Sequence, residues 1–253
     1  MLSPGTNCKA GPGRELLYIC EMTRYFVRLA YDGTNYHGWQ IQPNATTVQE
    51  TMEKAFSTLL KEEIRLTGAG RTDTGVHASY FVAHFDSRQA GLDADDNLVH
   101  RLNQFLPNDI VIRDLKQVDE SMHARFSATS RTYHYVISLR KPLFDREYCH
   151  YYYGELDIGR MNEACDILKT YTDFTSFSKL HTDVKTNDCS IEFARWVFTE
   201  GGCRFEIVAD RFLRNMVRSI VGTQMEIGTG RIGLDEFREI IESKDRGRAG
   251  MSA

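Results

Sequence analysis

The sequence predicts an α+β fold built on a largely antiparallel sheet. Helical patterns and strand patterns are mixed along the chain, without the regular β-α-β alternation that gives a parallel sheet. The chain has 253 residues, 42% of them hydrophobic, which is enough for one large domain or for two halves of roughly 100 residues each. We predict an N-terminal half at 23–116 and a C-terminal half at 117–253, joined between Lys116 and Phe126, with no strict internal repeat.

The N-terminal half begins with a strand and a helix. In "RYFVRLAYDGTNY" one face alternates before a turn at Asp32-Gly33, and this face carries Tyr25, Val27, Leu29 and Tyr31. In "TTVQETMEKAFSTLL", Thr47 and Glu50 have capping-box spacing, and the apolar stripe consists of Val48, Met52, Ala55, Phe56 and Leu59. A strand running into a loop follows in "IRLTGAGRTDTGVHA", then a strand in "YFVAHFD", a helix in "DDNLVHRLNQFL" and a strand in "DIVIRDLKQV".

The C-terminal half has the same mixed pattern. It contains a strand in "RTYHYVISLR", a helix in "DIGRMNEACDILKTY" and two strands in "IEFARWVFTEGGCRFEIVAD", joined at Gly201-Gly202. A long helix in "RFLRNMVRSIVGTQMEI" and a shorter one in "LDEFREIIES" follow. The long helix has a predicted buried face of Leu213, Val217, Ile220 and Val221, and a separate basic face of Arg211, Arg214 and Arg218. That basic face is either solvated or paired with an acidic group or an anionic ligand.

The composition and the absence of targeting, membrane and metal motifs in the sequence predict a cytoplasmic protein without a metal site or a membrane segment. Residues 1–22 read as a Gly/Pro-rich flexible leader, and Met22 would serve as an alternative start because patterned sequence begins after it. No apolar run approaches the roughly 20 residues of a membrane helix, and the start lacks the apolar core of a signal peptide. The six cysteines form no C-x-x-C pair, which favours free thiols over disulfides or zinc, and the histidines form no metal motif.

The segment "GAGRTDTGVHA", Gly68 to Ala78, allows several interpretations of Asp73. An aspartic protease needs a second carboxylate to share the proton, and no second Asp-Thr-Gly is present. A Walker phosphate loop requires Gly-Lys-Ser/Thr, which is absent. Two interpretations stay open: a loop carboxylate that caps a turn, and a lone carboxylate kept ionised by Arg71 and available as a nucleophile.

Two further motifs are better explained by structure than by chemistry. The G-x-G-x-x-G match in "GTGRIG", Gly228 to Gly233, follows a helix pattern, so a helix-to-helix loop is favoured over a dinucleotide site. In "YDGTNYHGWQIQP", Tyr36, His37 and Trp39 form either a small satellite cluster or a platform on which bases stack.

The formal net charge of −4 argues mildly against a nucleic-acid partner, unless the basic residues cluster on one face. Such clusters exist. Besides the basic face of the long helix, "HARFSATSRTYHYVISLRK" interleaves Arg125 and Arg131 with Phe126, Tyr133 and Tyr135. This mixture suits RNA, whose unpaired bases stack on rings while arginines meet phosphates, although Tyr135 is better explained as a core residue.

Several long motifs in a fixed order now identify a family resemblance. "YDGTNYHGWQIQPNATTVQETMEKAF", "GAGRTDTGVHA", "LNQFLPNDIVI", "HARFSATSRTYHYVI" and "FLRNMVRSIVGT" together resemble the TruA-type tRNA pseudouridine synthases, from about Arg24 to the end of the chain. The resemblance implies two related α/β halves sharing one extended, mainly antiparallel sheet, with the active cleft between them. It also implies a homodimer, a tRNA substrate modified at uridines 38, 39 and 40 of the anticodon stem-loop, and no cofactor or metal.

The same resemblance assigns roles to individual residues. The family's catalytic aspartate falls on Asp73, its base-displacing arginine on Arg71, its active-site tyrosine on Tyr133, and the arginine that pairs with the aspartate on Arg218. The remaining basic residues of the two clusters are expected to bind substrate: Arg125, Arg131, Arg211 and Arg214.

The chain departs from the family at two points. Thr74 stands where many members have alanine, and the sequence stops at "RGRAGMSA", before a further strand of the family. Two other functions stay as alternatives: a non-catalytic RNA-binding protein, for which a carboxylate beside phosphates would be a disadvantage, and a nucleoside hydrolase, which would need a second carboxylate.

Overall fold

The computed structural model of the protein describes residues 22–179 and 186–253. The predicted leader lies outside these residues except for Met22. The N-terminal half contains strand β1 (Thr23–Tyr31), helix α1 (Val48–Leu60), strands β2 (Thr67–Gly68) and β3 (Ala78–Ser87), helix α2 (Asp96–Phe105) and strand β4 (Ile110–Val118). Its four strands form one antiparallel sheet in the order β2-β3-β1-β4.

The strand and helix patterns of this half are confirmed. The predicted face of β1 is buried, with Tyr25, Val27 and Leu29 fully enclosed. Helix α1 begins where the capping spacing places it, because the Thr47 hydroxyl accepts a hydrogen bond from the Glu50 amide at 3.3 Å. The apolar stripe of α1 packs into the same core, and each large side chain buried there stabilises the fold by about 1.5–3 kcal/mol.

The C-terminal half contains strands β5 (Arg131–Ser138) and β6 (His150–Tyr151), helix α3 (Ile158–Leu168), strands β7 (Ile191–Thr199) and β8 (Gly202–Ala209), and helices α4 (Met216–Gly228) and α5 (Leu234–Ser243). Its sheet has the order β6-β5-β8-β7. The β5–β8 and β7–β8 pairs are antiparallel, as predicted for the Gly201-Gly202 hairpin, and β5–β6 is parallel. The "GTGRIG" motif is the predicted loop between two helices, α4 and α5.

The α+β class is confirmed, but the sheet differs from the expectation. The strands of the described residues pair into two four-stranded sheets instead of one continuous sheet. Each half also has its own hydrophobic core, one drawn from residues 25–115 and the other from residues 137–249. The halves therefore meet through side chains and loops, and the site described below lies where they meet.

The start of α4 is the second difference. The sequence predicts a helix from Arg211, whereas α4 begins at Met216. Asn215 has a φ of 66°, in the left-handed region that asparagine tolerates better than most residues, and this conformation separates the preceding loop from the helix. The main chain of Arg214 also accepts a hydrogen bond from the Lys179 amide at 3.1 Å. The three arginines of the predicted basic face therefore do not share one helix.

Two other features concern composition. Among residues 22–179 and 186–253, the structure has no helix with the length and apolar character needed to cross a bilayer. The four cysteines in those ranges are free thiols: Cys149, Cys165, Cys189 and Cys203. Cys8 and Cys20 lie outside the described residues.

Candidate active site

Asp73 lies in the loop between β2 and β3, and hydrogen bonds hold the main chain around it. The Val76 amide donates to the Asp73 carbonyl at 3.2 Å, and the Gly75 amide donates to the Tyr36 carbonyl, also at 3.2 Å. Gly75 has a φ of 76°, which glycine adopts without strain. The chain thus turns sharply after Asp73 and leaves its side chain 34% exposed, within reach of a ligand.

The "YDGTNYHGW" segment supports this loop from the other side. Gly38 has a φ of 87°, and a Cβ atom added there would lie 2.1 Å from the carbonyl oxygen of Thr72. Only glycine permits so close an approach of the two main chains. Tyr36 and Trp39 are 4% and 3% exposed. Core packing is therefore the interpretation that holds for Tyr36 and Trp39, whereas His37 is exposed.

A guanidinium faces the carboxylate, but it belongs to Arg214. The Arg214 Nε lies 3.9 Å from the Asp73 Oδ1, so this ion pair links the C-terminal half to the N-terminal half. This contact is possible because Arg214 lies in the loop before α4, where the chain can bend toward the other half. At that distance and exposure the ion pair is loose and contributes little to stability.

The predicted pairing of Arg218 with Asp73 differs from what the structure shows. In the described residues the Arg218 Nε donates to the main-chain oxygen of Ala253 at 2.7 Å, and no ion pair joins it to Asp73. The segment that ends at Ala253 packs closely on α4, since a Cβ atom added to Gly222 would lie 1.8 Å from the Met251 oxygen. This segment occupies the Arg218 side chain, so the catalytic role of Arg218 stays a prediction.

Tyr133 projects from β5 toward the same site. Its ring packs edge-on against Phe212, with 5.0 Å between the ring centroids. Burial raises the pKa of the Tyr133 hydroxyl, the negative charge of Asp73 raises it further, and Arg131 opposes both effects. The phenol is therefore neutral at physiological pH, and it lies close enough to Asp73 to be influenced by its charge.

Arg131 is a brace between the halves. Its Nη2 donates to the carbonyl oxygens of Ala69, in the N-terminal half, at 3.1 Å and of Arg125 at 2.5 Å. Its Nη1 donates to the carbonyl oxygens of Asp210 at 2.7 Å and of Ala128 at 3.2 Å. The terminal N–H groups of the guanidinium are thus occupied by main chain, and the substrate-binding role of Arg131 stays a prediction.

The other predicted substrate-binding arginines remain accessible. Arg71 is exposed two residues before Asp73. Arg125 is exposed and its guanidinium lies over the Phe126 ring, 5.8 Å from the centroid. Arg211 is half-exposed in the loop before α4. Arg71 and Arg214 therefore place positive charge beside Asp73, and Arg125 and Arg211 lie near Arg131, in a chain whose net charge is −4.

A polar contact on the far side of the loop also joins the halves. The Tyr148 hydroxyl donates to Asp32, and the His77 Nε2 lies 2.9 Å from the Glu147 carbonyl. The His77 Nδ1 lies 3.1 Å from the Gly33 amide and 2.9 Å from an Asp32 oxygen. The Gly33 amide and the Asp32 carboxylate thus share the Nδ1 side of the ring, while Nε2 faces the C-terminal half.

The charge of Asp32 is secured by the same contact. Although burial raises the pKa of Asp32, hydrogen bonds from the Thr34 and Tyr148 hydroxyls outweigh it and lower the pKa to about 2. A cavity of about 360 Å³ adjoins this contact; its lining includes Tyr31, Asp32, His77, Asp109 and Tyr148. Asp73 and Tyr133 do not line it, so the cavity is separate from the predicted cleft.

Sequence patterns missed two groups of supporting residues. Tyr31 was expected only as a core residue of β1, yet its hydroxyl reaches the Thr72 hydroxyl at 3.0 Å. Asp32 was expected only as a turn residue, yet it anchors the contact with Tyr148. Alternation assigns a side chain to a face but does not show where its polar tip ends, and this is why both partners escaped notice.

The fold and the site together define a two-half α+β enzyme in which a lone carboxylate faces a guanidinium and a phenol. In the described residues no group of three or more His, Cys, Asp or Glu side chains is placed to hold a metal ion. The arrangement provides a nucleophile or an electrostatic partner for a developing cation. Exposed arginines beside it provide contacts for a polyanion.

Comparison with known proteins identifies the family. A family model described as tRNA pseudouridine synthase matches residues 29–127 and 167–253. A tRNA pseudouridine synthase A from Bacteroides thetaiotaomicron is 55% identical over 92% of this chain and 87% of its own length. The proteins of the same name from Porphyromonas gingivalis and Thermoanaerobacter are 53% and 43% identical, each over 92% of this chain and over 93% and 95% of their own lengths. The chain belongs to the tRNA pseudouridine synthase family, whose members are isomerases.

Proposed function

We propose that this enzyme converts uridine to pseudouridine at positions 38, 39 and 40 of tRNA, in the anticodon stem-loop, with Asp73 as the nucleophile and the target base flipped out of its stack. The observation that supports the proposal most directly is the exposed Asp73 carboxylate, 3.9 Å from Arg214 and electrostatically coupled to Tyr133. Neither a turn cap nor a pure RNA-binding surface requires this grouping.

The reaction is an isomerisation, and its atoms balance within the substrate. The bond from the ring nitrogen N1 to ribose C1′ breaks, and a bond from ring carbon C5 to C1′ forms. The proton on C5 is lost and N1 gains one. Nothing is oxidised or reduced, so the proposed reaction uses no redox cofactor. Asp73 holds one fragment, either the ribose or the base, while uracil turns.

Confinement of the detached uracil beside the ribose accounts for much of the rate. Keeping the detached uracil next to the ribose converts recombination into an intramolecular step, which is worth about 7–11 kcal/mol when the fragments are well oriented. Flipping the base costs a few kcal/mol. Arg71, exposed two residues before Asp73, fills the vacated space in the stack because a guanidinium stacks well on bases.

The roles of the other side chains follow from their charge. Tyr133 packs on the flipped uracil. Because its pKa is raised, the phenol accepts the proton from C5 only while passing on its own, as in a relay. Arg214 is the cation beside the Asp73 carboxylate, 3.9 Å away. We retain the expectation that Arg218→Ala lowers turnover more than binding, and a loss confined to binding would assign Arg218 to phosphate contacts.

The proposed partners are tRNA and a second copy of the chain. The exposed arginines around Asp73 support tRNA binding, and binding should weaken steeply with salt because phosphate neutralisation releases counterions. The family resemblance supports the homodimer, with one tRNA touching both subunits, and sedimentation with and without tRNA tests it. Because the substrate is tRNA, we place the enzyme in the cytoplasm.

The decisive experiment uses an unmodified tRNA transcript without added metal or cofactor. After incubation, pseudouridine is mapped by chemical labelling and primer extension. We expect stops at positions 38–40 only. The matched control is Asp73→Asn, which preserves the shape of the side chain; it should fold and bind tRNA but make no product. Turnover by a clean preparation of this variant would overturn the nucleophile assignment, and product at other positions would overturn the site assignment.

A further inference from the structure

We propose that the hydroxyl pair of Tyr31 and Thr72 is a positioning device that sets the location of the Asp73 carboxylate. This inference rests on the proposed role of Asp73 as the nucleophile. The Tyr31 hydroxyl makes its hydrogen bond to Thr72 and not to Asp73 itself. It acts through Thr72, which precedes Asp73 in the chain.

The Tyr31 ring is fixed by its surroundings. Tyr31 is the last residue of β1 and is 4% exposed. Its ring meets the edge of Phe81 with centroids 5.7 Å apart, and Trp39 lies 6.3 Å away. A ring packed on two sides in a dense core has little freedom. The hydroxyl at its tip is therefore a fixed point, determined by the N-terminal core.

The Tyr31 hydroxyl contacts the loop that carries Asp73. The Tyr31 hydroxyl lies 3.0 Å from the Thr72 Oγ1. Burial raises the pKa of Tyr31, so the hydroxyl is neutral and either group can be the donor. A buried hydroxyl without this partner would be left unsatisfied, which gives the contact a definite energetic advantage.

The contact completes a set of restraints on the loop. Gly38 holds the Thr72 carbonyl from behind, with 2.1 Å between that oxygen and an added Cβ atom. The Val76 amide holds the Asp73 carbonyl at 3.2 Å. These are main-chain restraints. The bond to Tyr31 is the side-chain restraint at Thr72, and it ties the residue before Asp73 to the core.

Such a restraint matters for chemistry more than for folding. A nucleophile must be held close to its productive position, and a displacement of about 1 Å can reduce the rate about 100-fold. A single hydrogen bond of this kind makes only a modest contribution to folding stability. Removing it should therefore reduce turnover out of proportion to the loss of stability.

The test compares two tyrosines of one strand. Tyr25 is on the same face of β1, is fully buried, and its hydroxyl donates to the Gln89 carbonyl at 3.0 Å. Tyr31→Phe and Tyr25→Phe each remove one hydroxyl that has a partner at 3.0 Å, but only the first adjoins the catalytic loop. The measurements are single-turnover pseudouridine formation, KM for tRNA and denaturant unfolding.

We expect Tyr31→Phe to lower turnover about 10- to 100-fold with KM for tRNA nearly unchanged, and Tyr25→Phe to lower stability comparably at normal turnover. Thr72→Val should behave like Tyr31→Phe, Thr72→Ser should restore turnover, and the double variant Tyr31→Phe, Thr72→Val should be no slower than the worse single one. If Tyr31→Phe does not fold, the comparison of turnover in Thr72→Val and Thr72→Ser tests the positioning role instead.

Three results would overturn the proposal. One is normal turnover in Tyr31→Phe or Thr72→Val. Another is an equal loss of turnover in Tyr25→Phe. The third is a change confined to KM. Asp73→Asn is measured alongside: activity in that variant refutes the nucleophile assignment itself, whereas its inactivity together with normal turnover in Tyr31→Phe refutes only the positioning role.

Discussion

Gly38→Ala is the substitution whose effect follows most directly from the coordinates. Two consequences are separable. Alanine at a φ of 87° is strained by about 1–2 kcal/mol. In addition, its Cβ atom would lie 2.1 Å from the Thr72 oxygen, whereas ordinary contact begins at 3.4 Å. The added Cβ atom would be 1.3 Å too close to the Thr72 oxygen (3.4 minus 2.1), so the main chain must move apart by about that distance.

The loop that carries Asp73 is the part that yields. Its partner across the contact is the segment around Tyr36 and Trp39, which is anchored in the core, whereas the loop is mostly half-buried and is exposed at Arg71 and Thr74. A shift of about 1 Å at a nucleophile reduces the rate about 100-fold. We therefore expect Gly38→Ala to lose about 1–2 kcal/mol of stability and at least tenfold in turnover.

The assay follows release of tritium from C5 of uridine in a labelled transcript, because the C5 hydrogen is lost in the reaction. Gly91→Ala is the matched control. Gly91 has a φ of 74° and no atom within 4 Å of an added Cβ, so Gly91→Ala introduces the backbone strain without a steric clash. If Gly38→Ala loses only the stability that Gly91→Ala loses and keeps full turnover, the argument that contact at Gly38 positions the loop is refuted.

Three further predictions concern charged groups. Burial and the nearby Arg24 charge lower the pKa of His84 to about 4 from 6.5. As the pH falls, the unfolded chain therefore takes up the proton before the folded one, and the free energy of unfolding should fall by up to about 2 kcal/mol between pH 7.5 and pH 5. This part of the pH dependence should vanish in His84→Gln. Arg131→Ala should lower the free energy of unfolding by denaturant by about 2–4 kcal/mol. Arg131→Lys should recover only part of this loss, because an ammonium cannot reproduce the planar fork of a guanidinium. An unchanged free energy of unfolding in Arg131→Ala would show that Arg131 does not brace the halves. Arg214→Gln should reduce turnover about tenfold by removing the cation beside Asp73, and a change limited to tRNA affinity would assign Arg214 to phosphate contacts.

The sequence was most informative where periodicity and turn chemistry act locally. The alternation from Tyr25 to Tyr31, the cap at Thr47 and the hairpin at Gly201-Gly202 all correspond to observed elements. The motif around Asp73 indicated a polar, glycine-rich loop, and the structure shows one with a left-handed glycine at Gly75. These features depend on neighbours within a few residues, which is the range that sequence patterns describe.

Long-range contacts were less accessible. Helical spacing predicted one basic face for the arginines near α4, but a single left-handed residue, Asn215, separates Arg214 from the helix. Arg131 was predicted to meet phosphates because guanidinium groups often do, yet it binds main-chain carbonyls of both halves. A carbonyl acceptor has no sequence signature, so no pattern could have distinguished a brace from a ligand.

The seam between the two cores has a consequence for how this enzyme loses activity. Asp73 belongs to one half and Tyr133 to the other, while the hydrogen bonds of Arg131, His77 and Tyr148 connect the halves. A small rotation at the seam would separate the two groups without exposing either core. Mild heating or low denaturant should therefore abolish catalysis while circular dichroism still reports a native protein, and activity should return quickly on cooling because neither core has to refold.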